Sequence, residues 1–142
     1  MEWTDSILIG ASADVVWRLT IGVTDWPSFN PTMQKVERLD TGPVEVGSTA
    51  RIKQPGQKPA VWTVTVVEPG RLFAWQTRRL GLVMTGSHLV ESVGDSCRNT
   101  LTLEVSGPVA RPFGAFFGLA VRRSLQTENA SFKSEAESAP TD

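Results

Sequence analysis

Pro112-Phe113-Gly114-Ala115-Phe116-Phe117-Gly118-Leu119-Ala120-Val121 opens the stretch of this 142-residue chain that decides its fold. Onward from it, Phe113, Phe117, Val121, Leu125 and Phe132 recur at spacings of four and seven, which lays them along one side of a helix from about Pro112 to Ala136. Pro112 suits a first helical turn, where its missing N–H leaves nothing unsatisfied. Upstream, from residue 33 to Gly107, the texture is different. Short runs of alternating apolar and polar residues are cut by Thr41-Gly42-Pro43, Gln54-Pro55-Gly56, Glu68-Pro69-Gly70 and Gly94-Asp95. These runs predict five or six strands in meander order. Ala60, Trp62, Val64 and Val66 share the face expected to be buried, as do Phe73, Trp75 and Thr77, and again Leu101, Leu103 and Val105.

The start of the chain adds one more strand, with Ile7 and Ile9 alternating between Ser6, Leu8 and Gly10. Ser12 can N-cap a short helix over Ala13 to Ile21, Asp14 meets its dipole, and Gly22 ends it. Thr24 to Pro31 reads as one further helical turn. A single sheet with one apolar face needs a cover, and only the C-terminal helix is long enough to provide it. The predicted fold is therefore α+β: a curved antiparallel sheet of six to seven strands wrapped around the long C-terminal helix, with two short helices after the first strand. One rod of about 10 Å diameter cannot fill so wide a concave sheet, so a cavity is expected beside it. Residues 1–136 form one ligand-binding domain in this reading, and residues 137–142 a polar tail.

Composition removes several functions. Fourteen Lys plus Arg against fifteen Asp plus Glu give a net charge of -1 with no basic stripe, which argues against nucleic acid. No apolar run is long enough to span a bilayer and the chain opens with acids, so a cytoplasmic location without stable membrane insertion is expected. Cys97 is alone and reads as a turn or strand-end residue. One His and one Cys cannot build a His- or Cys-rich metal site, and no Gly-rich nucleotide motif occurs, so no metal and no cofactor are expected.

The order strand, two short helices, meander, long helix invites comparison. So do Ser6 to Trp17, with its I-x-A-x-x-x-x-V-W pattern, the turn Asp25-Trp26-Pro27-Ser28-Phe29-Asn30-Pro31, and Val46-Gly47-Ser48. Further likeness lies in Val61-Trp62-Thr63-Val64, Pro69 to Trp75, Gly86-Ser87-His88 and Leu103 to Pro108. On these residues the chain resembles the polyketide cyclase/dehydrase and lipid-transport (SRPBCC, START-like) superfamily over nearly its whole length. The resemblance implies a helix-grip fold with a deep cavity for lipids, polyketides or other apolar molecules. Its members include carriers as well as aromatases and cyclases, so activity has to come from the site.

Trp62, Phe73, Trp75, Phe113, Phe117 and Val121 are the expected apolar lining, although large aromatics on these faces equally suit core packing. His88 alternates with Met84, Gly86 and Val90 and is the single candidate for acid–base work or for a hydrogen bond to a ligand oxygen. With no visible partner it also reads as a satisfied interior histidine. Gln54 shares a face with Ala50 and Ile52 and is a candidate cavity amide or a turn brace, whereas Arg51 belongs outside. The helix start, apolar nearly all round, admits three readings: a cavity mouth, a homodimer contact or a transient membrane-docking patch. Gly114 and Gly118 lower helix propensity there, so this end is also expected to move. The sequence thus favours binding or carriage of a small hydrophobic molecule, with an aromatase/cyclase-type enzyme as the alternative.

Overall fold

The alternation becomes seven strands in the computed structural model, which describes residues 1–138: β1 (Glu2–Ile9), β2 (Lys35–Arg38), β3 (Thr49–Lys53), β4 (Ala60–Glu68), β5 (Leu72–Arg79), β6 (Leu82–Val93) and β7 (Ser96–Ser106). Helices α1 (Ala13–Ile21) and α2 (Ala110–Ser138) flank the meander, with a 3-10 helix over Val23–Ser28 after α1. The strands form one antiparallel sheet in the order β1-β7-β6-β5-β4-β3-β2. The first strand therefore lies beside the last, with Glu2 opposite Glu104 and Ile9 opposite Cys97.

Local signals account for most boundaries. Ser12 caps α1, its Oγ accepting from Val15 N at 3.3 Å, and Gly22 N donates back to Arg18 O. Helix α2 starts two residues before the expected Pro112, which still falls in its first turn. At its other end it continues through Glu137 and Ser138, residues that the sequence assigned to the tail. Glu137 is held there because its carboxylate accepts from Gly10 N at 2.7 Å. The rest of that tail, residues 139–142, lies outside the described residues.

Strand β4 corrects a second expectation. A bulge shifts the register between Val64, opposite Trp75, and Val66, opposite Ala74. An extra residue reverses every later side chain, so Val67 rather than Val66 packs on the core.

Where the helix sits explains why the molecule has an interior space. Helix α2 packs against β1 and β7, at one side of the sheet. Its two glycines face that side: a Cβ on Gly114 would collide with Met1 Sδ, and one on Gly118 would press on the Trp3 indole at 3.4 Å. They allow a close approach to β1 that side chains at these positions would crowd, a role the sequence did not show. Held against β1, the helix stands away from the inner face of β3 to β5. Toward the C-terminal end of α2 that gap is filled by Ile9, Val16, Trp26, Phe73, Cys97 and Phe132, all buried. Toward its N-terminal end it is not filled. Among the described residues no helix is long and apolar enough to cross a membrane.

Candidate functional site

The unfilled part is a cavity of about 690 Å³ between the sheet and α2. Trp62 on β4, Trp75 on β5, Met84 and Gly86 on β6, and Phe113, Phe117 and Val121 on α2 form its apolar walls. The alternation of each strand put these side chains on the concave face, and the stripe of α2 put its residues opposite. The indoles of Trp62 and Trp75 stand 5.8 Å apart, tilted, and Gly86 lies beneath them without a side chain to cover them. Gln54 also reaches the cavity, its Nε2 donating to Thr32 O at 3.4 Å. Lys58 and Arg79 stand at the mouth, where Arg79 Nη1 donates to Lys58 O at 3.1 Å.

Phe73 is placed differently from its expectation. It is fully buried and packs edge-on against Trp26, Trp75 and His88, in the filled end rather than on the cavity wall. Its register explains this: Phe73 pairs with Val67 and His88, beyond the bulge, where the 3-10 helix inserts Trp26. Trp26 was not singled out from the sequence as a site residue. It is wholly buried, with its indole N–H donating to Leu19 O at 3.0 Å, and it forms part of the cavity's inner end.

His88 faces inward, 4% exposed, and it has a partner that the sequence did not reveal. Its Nε2 stands 3.4 Å from Oε1 of Glu128 on α2, and both residues border the cavity. A signal was available, since Glu128 falls between Leu125 and Phe132 in the apolar stripe, three residues after one and four before the other. An acid at such a place is either a misfit or a site.

The proton inventory of this pair follows from its neighbours. Thr32 Oγ1 lies 2.8 Å from Asn30 Oδ1 and 3.5 Å from Glu128 Oε2, and a hydroxyl has one proton to give. The amide oxygen can only accept, so the short contact takes that proton. The longer contact, in which Thr32 Oγ1 also faces Glu128 Oε2 as donor, is therefore weak support for a negative charge there. Desolvation points the same way, pushing the Glu128 carboxyl up to about 7 against the opposing influence of Thr32 and Asn30. Burial likewise lowers His88 to about 3, so its imidazole is neutral at physiological pH. His88 Nδ1 has no hydrogen-bond partner among the described residues. The cavity wall thus holds, side by side, a carboxyl group whose proton is held up to about 7 and a neutral imidazole.

Cys97 is wholly buried on β7, and burial raises its thiol above the usual range, which keeps it unreactive. Arg51 is outside, paired with Glu37 at 2.8 Å.

A family model described as polyketide cyclase / dehydrase and lipid transport matches residues 2–137. The chain belongs to that family. A comparison with curated protein sequences returns no match. Among solved structures, the family member is similar to the Zhui aromatase/cyclase from Streptomyces sp. R1128, at 19% identity over 96% of this chain and 93% of that one, with a TM-score of 0.78. It is similar to norcoclaurine synthase from Thalictrum flavum, solved with dopamine and hydroxybenzaldehyde, at 18% identity over 100% and 89%, with a TM-score of 0.77. A hypothetical protein from Helicobacter pylori matches at 14% identity over 96% and 88%, with a TM-score of 0.83. At these identities the likeness shows the shared helix-grip fold.

Proposed function

We propose that the protein binds or carries a small, mostly apolar molecule of lipid, polyketide or aromatic kind, with one of its oxygens set against His88 and Glu128. The observation that carries this reading is the cavity: about 690 Å³, inside the range that encloses a drug-sized ligand, walled by indoles and phenyl rings with one buried polar pair. Native mass spectrometry of freshly purified protein, followed by denaturation to release and weigh what was bound, is the direct test. Titration with N-phenyl-1-naphthylamine gives a second readout, because Trp62 and Trp75 would report its arrival. Gly86→Val checks the location. A Cβ there meets the Trp75 and Trp62 rings at 3.6 and 3.9 Å, ordinary contacts, so the larger side chain takes up cavity space without a clash at its root. It should weaken probe binding about tenfold. A bare mass together with no uptake from a panel of lipids and polycyclic aromatics would sink the proposal.

The carboxylic acid beside the neutral imidazole favours a second reading, an aromatase/cyclase-type enzyme. In a dehydration, Glu128 would give its proton to a departing ligand hydroxyl, which leaves as water, while the imidazole takes the proton from the adjacent carbon and returns it to the carboxylate. Under this reading His88→Gln and Glu128→Gln keep probe binding and lose water elimination from a β-hydroxyketone probe. Equal elimination by both variants and the parent would leave binding alone.

A further inference from the structure

One end of the molecule gathers exposed apolar side chains and unpaired cations. Three segments meet there: the β3–β4 loop, the β5–β6 turn, and the β7–α2 junction with the first turns of α2. The Arg79 to Lys58 hydrogen bond ties the first to the second. Pairing of Val83 with Ser106, and Val109 packed beside Gly81, tie the second to the third. On this end Leu80 is 89% exposed, Phe116 84%, Leu119 63% and Phe117 54%. Leu80 and Phe117 border the cavity, and Phe116 and Leu119 extend the apolar surface outward from it. Single exposed apolar residues are ordinary, but four at one end are a surface with a use.

Charge is segregated in the same place. No Asp or Glu occurs between Glu45 and Glu68, between Glu68 and Glu91, or between Glu104 and Glu128. Besides Arg51, Lys53 and Arg71, those stretches carry Lys58, Arg78, Arg79, Arg111, Arg122 and Arg123, and none of these last six forms an ion pair among the described residues. Arg18, Lys35, Arg38, Arg51, Arg71 and Lys133 each have a carboxylate partner, while Lys53 and Arg98 are the two other cations without one among the described residues. A chain of net charge -1 therefore presents one cationic, apolar end.

We propose that this end docks peripherally on an anionic lipid bilayer, with Leu80, Phe116 and Leu119 entering the headgroup boundary and the surrounding cations facing lipid anions, so that the cavity mouth opens toward the membrane. Shallow apolar insertion and cation attraction reinforce each other in this mode. A second copy is the poorer occupant, because a twofold contact would set these cations against their own equivalents. The proposal stands on exposure and charge, and does not require the cavity's ligand to be a lipid.

Flotation with phosphatidylcholine vesicles, pure or containing about 30% phosphatidylglycerol, tests it. The expected result is recovery with the anionic vesicles at low salt, at least tenfold less with the neutral ones, and loss of the difference near 0.5 M salt. Phe116→Ser with Leu119→Ser should lower partition about tenfold. Arg111→Gln with Arg123→Gln should lower it about twenty-five-fold, roughly fivefold per cation. Both pairs are at the surface, and unchanged melting curves confirm that they fold. Equal partition into both vesicles, or recovery with neither, overturns the proposal. So does a dimer in sedimentation equilibrium that Phe116→Ser dissolves, which would assign the patch to a second copy.

Discussion

The two halves of α2 are made of similar residues and meet opposite fates. In the C-terminal half, Phe132 is wholly buried, edge-on to Trp26 and Phe29 with ring centroids 5.8 and 5.2 Å away. Asn129 is buried beside it, accepting from Asn99 at 2.9 Å and donating to the Asp5 carboxylate at 2.7 Å. In the N-terminal half, Phe113 and Phe117 stack 5.2 Å apart at the edge of a cavity, and Phe116 points away from the protein. The same side-chain chemistry builds the stable core at one end and a ligand site at the other. What separates them is whether the 3-10 helix supplies a Trp26 to fill the space. Stability and binding should therefore be separable by position along one helix.

The largest test of that division is Phe132→Ala. Removing a phenyl ring enclosed on all sides costs about 3–5 kcal/mol, and should lower the melting temperature by on the order of 10–15 °C in a scanning-calorimetry experiment. A loss below about 1 kcal/mol would mean that the filled end is as yielding as the open one.

Glu128 sits where the two regions meet, and its signature is in pH. Folded, it keeps its proton up to about 7, whereas an unfolded carboxyl releases it near the ordinary 4.5. The unfolded chain then binds fewer protons between those values, and stability falls as pH rises through them, by at most about 3 kcal/mol. His88 acts in the opposite sense. It stays neutral down to about 3 against an ordinary 6.5, so its contribution to stability is lost as pH falls through that window. Between 4.5 and 6.5 the slopes oppose each other, leaving the alkaline loss to Glu128 and the acid loss to His88. Urea denaturation across pH should find Glu128→Gln more stable than the parent at about pH 8, with the acid limb unchanged. Curves that run parallel would instead mean that burial does not shift the Glu128 carboxyl, and a variant less stable than the parent near neutral pH would mean that the two residues form an ion pair.

The smallest effect is expected at Gly114→Ala. Helix propensity gains about 1 kcal/mol, and displacing the flexible end of Met1 returns most of it, for a net change within about 0.5 kcal/mol. A larger loss would show that Trp3 and β1 cannot shift, and that the open end is more rigid than its exposure suggests.

Reading by period recovered the architecture because each element follows one local rule. Ser12 and Gly22 bound α1, and the alternation from Leu72 to Thr77 assigns the faces of β5. It failed where a rule is broken by one residue, as at the β4 bulge, whose extra residue leaves no mark in composition. The cavity walls were legible for Trp62, Trp75, Phe113, Phe117 and Val121, because facing the core and facing the cavity require the same face. What separates Phe73 from Trp75 is what stands opposite, and that comes from Trp26, some fifty positions away in the chain. Glu128 was missed for the reverse reason. A helical stripe is recognised by its apolar members, and the polar one was passed over as a gap between Leu125 and Phe132.

The pairing of β1 with β7 has a consequence in time as well as in space. Glu2 meets Glu104 and Ile9 meets Cys97, so the first strand made is the last to find its neighbour. At a synthesis rate of about 5–20 residues per second, it waits roughly 5–20 s for that partner to be made. During that interval Ile7 and Ile9 remain as an unpaired edge, a hazard for association between nascent chains. The β2 to β6 hairpins can form as they emerge, each closing a short loop. Adding β1 then closes a loop of nearly a hundred residues and gives α2 the surface on which its glycines rest, so the cavity exists only after the sheet's oldest strand has joined its youngest.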